Sequence, residues 1–134
     1  MNIVLEMTLP RDAGSAPLAR HTLDASLRGL GVGADIRADI ALALGEACAN
    51  VIQHARASRE YEVKVRLDSK RCEVDVIDGG HHTDPTATWH GEGSPNAEHG
   101  RGLHLIGAFT EDLYIQDRPH NNGAIVHFAK TLAS

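Results

Sequence analysis

Apolar positions change their period along this chain, and the changes divide it into elements. Residues 3–9, "IVLEMTL", alternate and stop at Pro10, which predicts a first strand. From about 17 to 30, "PLARHTLDASLRGL", the spacing becomes helical, with Leu18, Leu23, Leu27 and Leu30 as the apolar set. Gly31 and Gly33 end that helix, and Asp35 is a candidate N-cap for the next. The second helix is predicted over about 36–57. Its stripe is Ile40, Leu44, Ala47 and Val51, with Ile36 and Cys48 alongside.

The period then falls to two. "EYEVKVRLD" (60–68) and "RCEVDVID" (71–78) alternate around a short "SK" turn and read as a hairpin with one buried face. Residues 79–99 are polar and rich in Gly, Pro and His, and a loop of that length inside a domain is usually functional. A third helix is predicted at about 102–110. Two closing strands, "DLYIQD" and "GAIVHFAKTL", follow around "RPHNNG". The order β-α-α-β-β-loop-α-β-β predicts an α+β fold: a two-layer α/β sandwich whose mixed, mainly antiparallel sheet carries helices on one face.

Composition narrows the function classes. At 134 residues, 42% hydrophobic and 23% charged, the chain suits a single domain over 1–134 with a real core. A net charge of −5 argues against a broad nucleic-acid footprint. The N-terminal run lacks a basic region and contains Glu6, so no signal peptide is expected; no stretch has the length of a membrane span. A cytoplasmic protein is the expectation. Cys48 and Cys72 read as small buried hydrophobes rather than as a disulfide framework or a zinc site.

Three short stretches carry candidate chemistry. Glu46, Asn50 and His54 are spaced i, i+4, i+8 and share one helix face. A solvated face explains that spacing; so does a general base beside a hydrated Mg²⁺. Asp78-Gly79-Gly80 closes a strand. It reads as a turn, or as an acceptor with Gly80 admitting a flat ligand close to the backbone. Gly100-Arg101-Gly102 precedes the third helix, where free N–H groups and an arginine suit a phosphate. It lacks the G-K-[ST] of a P-loop. His81, His82, His90, His99 and Asp84 lie in the long loop without metal-binding helical spacing, and read as polar loop residues.

Taken in order, "EACANVIQHA" (46–55), "DVIDGGHHTDP" (75–85) and "HGRGLHLI" (99–106) resemble the N, G1 and G2 boxes of the GHKL, or Bergerat-fold, ATPases. They are most similar to the small anti-sigma-factor serine kinases of bacterial partner-switching systems. The resemblance covers nearly the whole chain, through "NGAIVHFAK" (122–130). It implies Glu46 as general base, Asn50 as the Mg²⁺ ligand and His54 at the site's edge. It implies Asp78 as acceptor of the adenine amino group, with Gly80 giving the base room. Residues from about 81 to 99 would form the ATP lid. Gly100, Arg101 and Gly102, followed by Leu103, would cradle phosphates.

ATP and Mg²⁺ are thus the implied cofactors. A sigma factor, a STAS-domain anti-anti-sigma protein and a second copy of the chain are the implied partners. Two positions depart from the pattern: His82 replaces the second glycine of the G1 box, and Ala124 replaces the usual threonine. They frame the alternative, a non-catalytic partner-switching module with weak or lost nucleotide binding. The catalytic domain of a two-component histidine kinase ranks lower, because no helical hairpin with a phospho-acceptor histidine precedes the motifs. A metal-dependent hydrolase built on the loop histidines ranks lowest.

Overall fold

The computed structural model describes residues 2–53, 59–78, 104–118 and 123–132. Strand β1 (Ile3–Pro10) is followed by helices α1 (Ser15–Gly29) and α2 (Ala34–Gln53). The hairpin β2 (Glu60–Leu67) and β3 (Arg71–Asp78) comes next, then a short helix at 104–109. Strands β4 (Glu111–Arg118) and β5 (Gly123–Thr131) complete the sheet.

Alternation sets the register. Ile3, Leu5, Met7 and Leu9 of β1 stand opposite Leu67, Val65, Val63 and Tyr61 of β2. Val63, Val65 and Leu67 in turn face Val76, Val74 and Cys72 of β3. A one-residue slip would turn each of these sets out to water. The sheet order is β1-β2-β3-β5-β4 and every pairing is antiparallel, so β5 lies between its two predecessors and β1 forms one edge. The sheet is therefore more uniform than the mixed one expected.

Both helices cover one face. Ala19, Leu23 and Leu27 of α1 join Ile40, Leu44, Ala47, Cys48 and Val51 of α2 over Val63, Val65, Val74, Val76 and Phe128. Leu18 is a correction: it is 55% exposed and outside this core. Five residues before Leu23, it sits about 140° around the helix from it. Helix α1 ends as expected. The Val32 N–H reaches the Leu27 carbonyl at 3.1 Å and the Gly31 N–H reaches Arg28 at 3.0 Å. That closure needs a left-handed residue, and Gly31 supplies it at φ +81°.

Asp35 is a second correction. The Gly33 carbonyl accepts the Arg37 N–H at 3.0 Å, so Gly33 caps α2 and Asp35 falls in its first turn. There its charge still suits the helix dipole. The two cysteines are buried free thiols. Burial pushes Cys48 up to about 11 and Cys72 up to about 12.

Candidate active site

Of the predicted site residues, Glu46, Asn50 and Asp78 lie among the described residues, the first two on α2 and the third at the end of β3. Helix α2 packs across β3, and its polar side carries Glu46 and Asn50 about 6 Å apart along the axis. Glu46 is half-buried; Asn50 is only 9% exposed. Among the described residues, neither side chain has a hydrogen-bond or ion-pair partner. Buried amides are normally satisfied, so an unpartnered Asn50 is a place for a ligand atom. An amide oxygen beside a carboxylate is the hard donor set Mg²⁺ accepts. No cluster of three or more His, Cys, Asp and Glu residues exists among the described residues. That suits a Mg²⁺ held by one or two protein atoms and substrate phosphates rather than a protein cage.

Asp78 ends β3 and is buried. Its cross-strand neighbour is Tyr61. The Tyr61 hydroxyl lies 2.6 Å from Ser15 Oγ, and Ser15 Oγ donates to the Asp12 carbonyl at 2.8 Å. This polar chain ties the β1–α1 connection to β2. Burial drives the Tyr61 phenol well above its usual range, so it stays protonated.

Sequence reasoning missed Arg11. Its guanidinium donates through Nη2 to Asp78 Oδ1 and through Nη1 to the Val51 carbonyl of α2. The pair is buried, with side chains 7% and 9% exposed. Arg11 thereby ties β1, α2 and the end of β3 together. Its only local signal is a basic residue after a strand-ending proline, which ordinary surface positions share.

The short helix at 104–109 follows the Gly100–Leu103 stretch. It is anchored by Ile106 in the core and by Lys130, whose Nζ donates to the Phe109 carbonyl at 2.7 Å and to Asp39 of α2 at 2.9 Å. A cation at a helix C-terminus also meets the negative end of its dipole. His54, Gly80, the 81–99 stretch, Gly100, Arg101, Gly102 and Leu103 lie outside the described residues, as does His82. Ala124 lies in β5, opposite Asp117.

Comparison with known proteins bears on the family and the fold. The model of the histidine kinase-like ATPase domain matches residues 9–130. A serine-protein kinase RsbW from Bacillus thuringiensis (strain Al Hakam) is 29% identical over 136 aligned residues, covering 94% of this chain and 83% of its own. A serine-protein kinase RsbW from Bacillus licheniformis is 30% identical over 123, covering 84% and 77%. The crystal structure of the RsbU and RsbW domains of Rv1364c from Mycobacterium tuberculosis superposes with a TM-score of 0.74 at 21% identity. That match spans 98% of this chain and 33% of the other, and it bears on the fold alone. No described helix is long and apolar enough to cross a membrane. The chain belongs to the family of histidine kinase-like ATPase domains.

Proposed function

We propose that this chain is an ATP-dependent protein serine kinase and anti-sigma factor. It sequesters a sigma factor and phosphorylates its own STAS-type antagonist, an anti-anti-sigma protein. The observation that carries the reading is the pair Glu46 and Asn50, unpartnered among the described residues on one side of α2. The relatives named serine-protein kinase support the same reaction class.

Phosphoryl transfer asks mainly for positioning and charge stabilisation. Asp78 accepts the adenine amino group and so sets the depth of the nucleotide. Glu46 takes the proton from a seryl hydroxyl as its oxygen bonds to the γ-phosphorus. The bond from that phosphorus to the β–γ bridging oxygen breaks, and ADP leaves. Asn50 would hold Mg²⁺ together with the phosphates, and the ion would supply charge neutralisation when bound. His54, Gly80, Gly100, Arg101, Gly102 and Leu103 complete the site by resemblance, with 81–99 as its lid. The chain acts in the cytoplasm as a homodimer. The edge strand β1 is the candidate contact: Val4 on it is 63% exposed.

Calorimetry of Mg·ATP binding tests the reading, with Asp78→Asn as control. Micromolar-range binding that the variant loses is the expected result. Absence of binding at millimolar ATP would overturn the kinase assignment. It would leave the second reading, a partner-binding module, for which Ala124 in β5 is the motivating feature.

A further inference from the structure

We propose that Arg11 is a positioning residue for purine recognition: it fixes the Asp78 carboxylate so that the site selects a base bearing an amino group. The inference rests on the reading of Asp78 as the adenine acceptor. A carboxylate at a strand end is held by backbone pairing only as far as its Cα; its own two torsions remain to be set. Arg11 sets them. Its backbone N–H is fixed on the Arg59 carbonyl at 2.9 Å, at the start of β2. Its guanidinium grips two acceptors at once, Asp78 Oδ1 and the Val51 carbonyl. A planar fork does this and a single ammonium does not.

The pair also outlasts nucleotide binding. A neutral amino donor does not displace a buried guanidinium, because it offers the Asp78 carboxylate no charge in exchange. An ionised carboxylate has about four lone-pair sites, so a guanidinium and an amino group can share one carboxylate. Arg11 therefore acts on the base through the direction it gives Asp78. Recognition of a precise donor needs its partner held within about 10–20°.

The test compares Mg·ATP with the Mg complex of purine riboside triphosphate, the same nucleotide without the 6-amino group. Both are titrated calorimetrically into the wild type, Arg11→Lys and Arg11→Gln. Arg11→Gln is expected to weaken ATP by about tenfold or more, the value of a well-aimed bond to a charged group. The analogue should change by less than about threefold. Arg11→Lys keeps a cation and should fall between, which preserves the test if circular dichroism shows Arg11→Gln unfolded. Parallel losses for both nucleotides would assign Arg11 a structural role alone and overturn the inference. Unchanged ATP affinity would overturn it as well. A wild type that binds neither nucleotide would remove the nucleotide site itself, a failure of the parent reading and distinct from the other two.

Discussion

Strand β3 carries an arginine–carboxylate cluster at each end. At its start, Arg71 meets three carboxylates: Glu73 at 3.5 Å, Glu111 at 3.3 Å, and Asp112 through Nη2. At its end, Asp78 pairs with Arg11. The first cluster lies in water, with Arg71 35% and Asp112 66% exposed in their side chains. The second pair has almost no solvent, at 7% and 9%. Exposure rather than the number of ion pairs decides how strong each constraint is. Water screens the crowded end and leaves each contact with little net value. At the dry end a missing partner strands a buried charge. The proposed adenine acceptor, Asp78, sits at the dry end.

The largest expected effect belongs to that end. Glu46→Ala should lower phosphotransfer to a STAS-type substrate by about 10²–10⁴-fold, the usual worth of a general base. Mg·ATP affinity should hold, since Glu46 acts on the incoming hydroxyl. A radiolabel transfer assay alongside calorimetry separates the two. Equal activity in variant and wild type would remove Glu46 from the reaction.

Stability gives the next contrast. Arg11→Met takes the guanidinium away from the buried Asp78 carboxylate. The expected loss is about 3–5 kcal/mol in urea unfolding, a large share of a domain's total. Arg71→Met should leave the urea midpoint nearly unmoved. If the two variants shift the midpoint equally, burial is not what distinguishes the clusters.

Alkali probes the same dryness through the core. Cys48 lies on α2 between Glu46 and Asn50, and burial raises its thiol from 9.0 to about 11. The folded state thus holds its proton more tightly than the unfolded chain. The associated stability is full below about pH 9 and fades as pH rises toward about 11. A two-unit shift corresponds to about 3 kcal/mol at most. Cys48→Ala should flatten that part of the stability profile, and Cys48 should react slowly with a thiol reagent at pH 8 in the native protein. Rapid native-state labelling would contradict the burial.

How much of this was legible beforehand follows from how local each signal is. The strands and helices were, because alternation and helical spacing act within a few residues. Leu18 misled because an apolar residue near a helix start was counted without its angle, and Asp35 because Gly33 took the cap one residue before the helix. The place of β5 between β3 and β4 was not legible, since it depends on pairing across distant chain. Glu46, Asn50 and Asp78 stood out through motif order, and the fold packs α2 against β3. Arg11 left no trace, because its partner is 67 positions away. No spacing rule reaches that far.

The smallest effect is also the one that most sharpens the contrast. Arg71 is held by groups that already have other work. Glu111 accepts the Thr131 hydroxyl at 2.8 Å and the Thr131 N–H at 3.2 Å, while Asp68 accepts the N–H groups of Lys70 and Arg71 and closes the hairpin. Those two amide bonds hold the Asp68 carboxyl below the usual carboxylate range. Its contribution is present at neutral pH and is lost only as acid titrates it in the folded state. The turn thus stands without the Arg71 guanidinium, and so does the bulge at Asp112, where aspartate tolerates the φ of +54°. Arg71→Met should show its slight destabilisation at low ionic strength and lose it at about 1 M salt, where the screening length falls to about 3 Å. The Arg11→Met deficit should persist at both salt concentrations, because ions do not enter a pair that excludes water. A salt-sensitive Arg11 deficit would show that the end of β3 is wetter than its burial implies, and the case for a preorganised base-recognition site there would weaken with it.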